Sequence, residues 1–355
     1  METALYAPGL GYYVTPRPIF GADGDFVTAP ELSPLFAACV GHCLADLLAR
    51  TDGGDVVEIG AGSGRLAADV FASLLRRSAP VARYRIVEPS PALAARQRER
   101  IARSPGTADH VDRFEWLAVP PREPWQGVAF ANEVVDALPV DRFRVRAQGC
   151  EAIGVIAATE GFAPAPRPAG AALADAVERL QRKLPSPMPE GFVSEIRLGQ
   201  RAWLAAASAT LTRGAFLLVD YGLPRAQLYH PSRDGGTLCA FRRHRRIEDV
   251  LAHPGIQDLT AWVDFSALAE DANHAGLELG GFATQAHYLL SAGIERELAG
   301  LVETVGEREG RALRQSATTL LLPGEMGERF KVMALAREIR GPFDGFGFRD
   351  LSASL

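Results

Sequence analysis

The stretch Val56 to Ala68, VVEIGAGSGRLAA, decides the fold. An apolar run ends in a glutamate and an isoleucine, glycines stand at 60, 62 and 64, and a helix-compatible segment begins at once. A strand, a bare turn and a helix in that order open a βα unit whose ligand lies against the turn. The GxGxG spacing is not the GxGxxG of dinucleotide binders, where free amides at a helix N-terminus face a pyrophosphate. A tighter turn lets the amino-acid part and ribose of S-adenosylmethionine lie on the main chain, where a Cβ at Gly60 or Gly62 would collide.

Strand and helix patterns alternate on both sides of this turn. Before it, ELSPLFAACVGHCLADLLAR (31–50) repeats apolar residues at intervals of three and four, which predicts an amphipathic helix. After it come a helix near 64–77, strand 84–90, helix 91–103, and strands 113–118 and 127–133. From 141 to 213 the rhythm changes to a hairpin pattern, a Pro/Ala-rich connection APAPRPAG and a helical AALADAVERLQRKL. The parallel rhythm returns at GAFLLVDYG (214–222), followed by a polar, Arg-rich stretch (223–260), helix 265–276, strand 277–285, helices to about 318 and a last strand at 330–337. The expectation is an α/β doubly wound, Rossmann-like sheet. Residues 1–50 form an arm and helix, 51–140 and 214–340 the core, and 141–213 an inserted α+β substrate or partner region. The first 30 residues, rich in Gly, Pro and Tyr, read as an arm or lid without helix or strand.

Composition narrows the class. The 355 residues are 47% hydrophobic and 23% charged, which is ordinary for a globular chain. A net charge of -5 offers no general attraction for nucleic acid. No run approaches the roughly 20 apolar residues of a membrane span. Cys39, Cys43, Cys150 and Cys239 have neither metal-ligand nor disulfide spacing, and no metal is inferred. With no signal or transit pattern in the first 21 residues, the expected compartment is the cytoplasm.

The candidate cofactor residues are Gly60, Ala61, Gly62 and Gly64 of the turn, with Glu88 and Pro89 ending the next strand and Asn132 ending the fourth. An acid at position 88 suits two ribose hydroxyls and opposes a 2′-phosphate; the alternative is a solvated Glu88 on a turn without ligand. Glu58 is a further carboxylate near a cationic cofactor. Glu133 and Asp136, expected one helical turn apart, are catalytic candidates able to hold a guanidinium, or else acids favoured at a helix N-terminus. Asp220 and Tyr221 read as polar substrate lining, with a turn-stabilising aspartate as the other reading. FRRHRRIED (241–249) is either a solvated charge run or a surface for an acidic protein.

Eight stretches, among them GDFVTAPELSPLF (24–36), VEIGAGSG (57–64), VEPSPALAARQ (87–97), ANEVVDALPV (131–140) and MGERFKVMALA (326–336), resemble the MidA family from about residue 8 to 337. The resemblance implies a class I S-adenosylmethionine-dependent methyltransferase with a mainly parallel seven-stranded sheet, acting on arginine in a protein. It also implies that Gly60, Gly62 and Glu88 hold the cofactor, that Asp25 and Thr28 of the arm lie near its open side, and that Glu133 and Asp136 meet the substrate. GAGSGRLA stands where the family more often has GPGRGTL, which bears on Ser63 and Arg65. Alternatives are a non-catalytic assembly factor and methylation of another side chain or a small molecule; a nicotinamide oxidoreductase fits the glycine spacing poorly. The insertion favours a macromolecular partner and leaves a homodimer face open.

Overall fold

The computed structural model describes residues 1–355 except 16–18, 20, 22, 23, 26 and 27. The chain begins with α1 (Glu2–Tyr6), a helix in the arm where none was expected, then α2 (Ala29–Leu32) and α3 (Pro34–Arg50). The periodic segment at 31–50 is therefore broken once. Ser33 leaves the helical region, and its hydroxyl accepts the Leu35 N–H at 3.3 Å with Pro34 at the first helical position, a strong local start signal.

The core follows as β1 (Gly54–Ile59), α4 (Arg65–Arg76), β2 (Val81–Val87), α5 (Pro91–Arg103), β3 (Phe114–Leu117) and β4 (Trp125–Asn132). Then come β5 (Asp141–Val145), β6 (Cys150–Ala157), β7 (Phe162–Pro168), α6 (Ala171–Lys183), β8 (Val193–Ile196), α7 (Gln200–Ser208) and β9 (Leu211–Leu223). The remainder is α8 (Arg225–Leu228), β10 (Cys239–Arg242), β11 (Arg245–Ile247), β12 (Asp258–Thr260), β13 (Val263–Asp264), α9 (Phe265–His274), β14 (Glu278–Thr284), α10 (Gln285–Ser291), α11 (Ile294–Thr304), α12 (Glu307–Leu321) and β15 (Phe330–Arg337).

The main sheet runs β14-β15-β9-β4-β1-β2-β3, with two-residue β13 beside β9. Strands β3, β2, β1, β4 and β9 are parallel, and β15 inserts antiparallel between β9 and β14. This is the doubly wound seven-stranded path of the class I methyltransferase fold. Val56 and Val57 are both fully buried because helices cover both faces, so β1 reads as a continuous apolar run. One face packs α3 and α4 through Leu44, Val70 and Phe71; the other packs α7 and α9 through Leu204, Ala207 and Leu268.

The second sheet, β7-β6-β5-β8, has its own core around Phe143, Val177, Leu180 and Phe192. Its outer strand β7 contains Pro164, Pro166 and Pro168, the stretch expected to be a mere connection. Proline persists there because an edge strand leaves one side of its ladder without required donors. The Arg-rich stretch likewise has structure, a small sheet ordered β11-β10-β12. The arm packs on it and on α5 through Leu5, Tyr12, Leu93, Ala240 and Leu259.

Candidate active site

Gly60, Gly62 and Gly64 have φ of +70°, +54° and +79°, in the left-handed region that side chains disfavour. A Cβ on Gly60 would stand 3.0 Å from Val134 Cγ2, so this glycine keeps the space above β1 open. Gly64 does something else. It precedes α4, and a Cβ there would meet Gln97 Cα at 3.1 Å, so it permits close approach of α4 to α5 and does not line the cavity. Ser63 and Arg65, within and just after the glycine turn, both bind Glu31. The Ser63 hydroxyl donates to its carboxylate, and Arg65 Nη1 donates to its carbonyl at 2.8 Å.

Glu88 ends β2 and is 8% exposed. Burial raises its pKa, while hydrogen bonds from the Ser90 N–H at 2.9 Å and Gln97 Nε2 at 3.0 Å act to lower it. The same Nε2 donates to the Gly62 carbonyl at 3.0 Å, and Trp116 Nε1 donates to Gln97 Oε1 at 3.1 Å. Gln97 thereby joins the glycine turn to the acid. Sequence reasoning did not single it out; its one signal is a polar residue within the Leu93, Ala94, Gln97, Ile101 buried face of α5.

These elements open onto a cavity of about 730 Å³ at the carboxyl edge of the sheet. Thr28, Gly60, Ala61, Gly62, Glu88, Pro89 and Asn132 line it, as do Glu58, Glu133, Asp136 and Tyr221; Asp25, Gly64 and Asp220 do not. Glu58 is buried and accepts the Tyr84 hydroxyl at 2.6 Å, and burial pushes its carboxyl up to about 8. Asp25 instead ties the arm to the β10–β11 hairpin, accepting from the Tyr12 hydroxyl at 2.9 Å and the Arg243 N–H at 2.8 Å.

The segment after β4 is a turn, not the expected helix. Glu133 has φ +53°, rare for a residue with a side chain, and its N–H still donates to the Val219 carbonyl at 2.8 Å. The chain then folds over Asp220. The Asp220 carboxylate accepts the N–H groups of Val135 at 2.9 Å, Asp136 at 3.1 Å and Tyr221 at 2.9 Å. Asp220 is therefore a loop holder rather than substrate lining.

A cluster of acids results. Asp136 is 5% exposed; one oxygen accepts Thr260 Oγ1 at 2.6 Å and the Tyr221 hydroxyl, and Oδ1 is buried without a partner. Burial and the neighbouring Asp136 charge push the Glu133 carboxyl up to about 8. Asp258, which sequence reasoning missed, lines the same cavity and accepts the Tyr13 hydroxyl at 2.8 Å. Burial and then Asp136 push it up to about 7. Among the described residues no group of His, Cys, Asp and Glu could hold a metal ion, and no helix is long and apolar enough to cross a membrane.

The cavity suits S-adenosylmethionine. The main chain is bare where the glycines turn, and a buried acid, Glu88 at the end of β2, lines the cavity beside it. Comparison with known proteins agrees. A family model described as "Putative S-adenosyl-L-methionine-dependent methyltransferase" matches residues 39–283. A protein from Burkholderia thailandensis, solved with S-adenosyl-homocysteine bound, is 39% identical with a TM-score of 0.90, covering 100% of this chain and 90% of that one. The Homo sapiens "Protein arginine methyltransferase NDUFAF7, mitochondrial" is 30% identical, covering 94% of this chain and 78% of its own; the Danio rerio protein of the same name is 28% identical, covering 96% and 83%. The mitochondrial naming of these curated relatives overturns the cytoplasmic expectation. With the family model spanning most of the sheet and its glycine turn, the chain belongs to this family of S-adenosylmethionine-dependent methyltransferases.

Proposed function

We propose that the enzyme methylates a guanidinium nitrogen of an arginine in a protein partner. The observation that carries this reading is the acid cluster of Glu133, Asp136 and Asp258, all three of which line the cavity. Three carboxyl groups around one cavity suit a ligand that is both cationic and rich in N–H donors, and a guanidinium offers five in a plane. Tyr6 and Tyr13, stacked with ring centroids 5.8 Å apart, line the same cavity and present aromatic surface for a planar cation. The naming of the vertebrate relatives as protein arginine methyltransferases supports the same substrate class.

We assign Thr28, Gly60, Ala61, Gly62, Glu88, Pro89 and Asn132 to the cofactor. Bound S-adenosylmethionine supplies an electrophilic methyl group on a sulfonium. Glu133 and Asp136 orient the attacking nitrogen, so that proximity and alignment provide most of the rate. The nitrogen that gains carbon must lose a proton. Glu133, whose Oε1 already accepts Asn132 Nδ2 at 3.1 Å, takes it on its carboxylate, helped by a pKa near the working pH. The four-stranded inserted sheet, with Val155, Ile156 and Phe162 exposed around the β6–β7 turn, offers surface for the protein that carries the arginine.

Incubation with methyl-labelled cofactor and extract from the source organism, followed by mass spectrometry, tests the reading. Label on an arginine of a protein, lost in Glu133→Gln, is the expected result. Label confined to a small molecule or to another side chain overturns it.

A further inference from the structure

S-adenosylmethionine carries one anion, its α-carboxylate, and two cations, an ammonium and a sulfonium. The cavity that receives it is lopsided in charge. Among its described lining residues Glu31, Glu58, Glu88, Glu133, Asp136 and Asp258 are acids, and Arg329 is the only cation. Once ionised, the acids suit the ammonium and sulfonium and repel the carboxylate, and among the described lining side chains only one offers the carboxylate a counter-charge.

Arg329 is well sited to supply it. It immediately precedes β15, which runs antiparallel, so the start of this strand lies at the carboxyl edge beside the end of β9. Phe330 pairs with Tyr221, their rings meet edge to face at 5.4 Å, and the Gly222 N–H donates to the Arg329 carbonyl at 3.4 Å. The Phe330 N–H donates to the Met326 carbonyl at 3.2 Å, and Met326 packs on the core beneath α3 and α4, the face that also carries the glycine turn and Glu31. The main chain at 329 is thus fixed. Its side chain is exposed at the cavity rim and makes no ion pair or hydrogen bond among the described residues.

The direction is also right. Glu88 on β2 marks the ribose end, and the path β2-β1-β4-β9-β15 is four interstrand steps, roughly 19 Å at the usual spacing. A methionyl tail extending from the ribose and a long arginine side chain reaching back span that distance together. We propose that Arg329 binds the cofactor's α-carboxylate through charge-assisted hydrogen bonds, and by doing so sets the direction in which the methionyl tail lies.

Decarboxylated S-adenosylmethionine, which retains the ammonium and sulfonium and lacks only the anion, isolates this contact. Calorimetry should show that the wild-type protein binds S-adenosylmethionine about tenfold more tightly than the decarboxylated form, the size expected for one partly exposed charge-assisted bond. Arg329→Met should weaken S-adenosylmethionine about tenfold and leave the decarboxylated form unchanged. Arg329→Glu should reverse the preference. Because the side chain is exposed, both variants should keep the wild-type circular dichroism spectrum. If Arg329→Met weakens both ligands equally, the residue shapes the cavity and the assignment fails. If it weakens neither but lowers transfer to the acceptor, Arg329 serves the acceptor and the assignment also fails.

Discussion

Gln97 Nε2 donates to Glu88 Oε2 and to the Gly62 carbonyl, each at 3.0 Å, so one buried amide sets the distance between the acid and the turn. Without it, Glu88 Oε2, the Gly62 carbonyl and Trp116 Nε1 all lose a partner. Gln97→Leu should therefore lower unfolding stability by about 3 kcal/mol, since each buried polar group left unmade costs on the order of 1–3 kcal/mol. Cofactor affinity should fall at least about tenfold, because the acid and the turn no longer hold a common geometry. Urea denaturation and calorimetry check the two effects separately. A variant with wild-type stability and affinity would show that the bridge has no role.

Gly60 and Gly62 test the turn itself. Gly60→Ala places a methyl group 3.0 Å from Val134 Cγ2 at φ +70°, and Gly62→Val puts a β-branched residue at φ +54°. Left-handed backbone costs a side chain roughly 1–2 kcal/mol, little enough for a core of this size to stay folded. Both variants should keep their circular dichroism spectrum and lose about a hundredfold in affinity for S-adenosyl-homocysteine. Normal binding by Gly62→Val would remove the turn from the site.

Much of this arrangement is legible in the chain because local signals coincide. The run before Gly60 is apolar through a strand buried on both faces, the glycines sit at positions of positive φ, and β15 occupies 330–337 as its pattern predicts. The rest depends on distant pairing. Asp258 lies on a three-residue strand in a polar, arginine-rich stretch, too short for periodicity to register. It reaches the cavity because β12 pairs with β10 and because neighbouring Thr260 bonds Asp136, 124 positions away in sequence. The helix expected after Glu133 fails for a similar reason: Asp220, from β9, captures the amides of Val135 and Asp136 that would have begun it. Acids close in sequence suggested a helical face, whereas a third acid from another strand sets their geometry.

That capture gives Asp220 a structural role with its own signature. Asp220→Ala leaves three buried or half-buried N–H groups unpaired and should cost about 3 kcal/mol or more, with loss of activity following from disorder of the loop. Asp220→Asn keeps one acceptor oxygen, enough for the Val135 and Asp136 N–H groups that share Oδ2 but not for the Tyr221 N–H on Oδ1, and removes a carboxyl that burial and the Asp136 charge hold well above the usual range. It should retain most of the stability and activity. Thermal unfolding of the pair is decisive: equal losses in both variants would point to a charge requirement at 220 instead of a loop anchor.

Glu133 makes a pH-dependent contribution of definite sign. Its carboxyl sits at about 8 in the folded protein against an ordinary value of 4.5, and Asp258 at about 7 against 3.8. Between those limits the folded chain holds protons that the unfolded chain has released, so stability of the cofactor-free protein falls as pH rises from about 4.5 to about 8. Glu133→Gln has no such proton to lose. It should match the wild type near pH 4.5 and melt several degrees higher at pH 8.5, because a carboxyl displaced this far gives up on the order of a few kcal/mol of stability across that window. The same groups favour a cationic ligand only when ionised. Affinity for an arginine peptide should therefore rise with pH through 7 to 8 in the wild type and flatten in the variant. Calorimetric melting temperatures across pH 5 to 8.5 that run parallel for the two proteins would mean that Glu133 is an ordinary carboxylate, and its part in receiving the substrate proton would go with it.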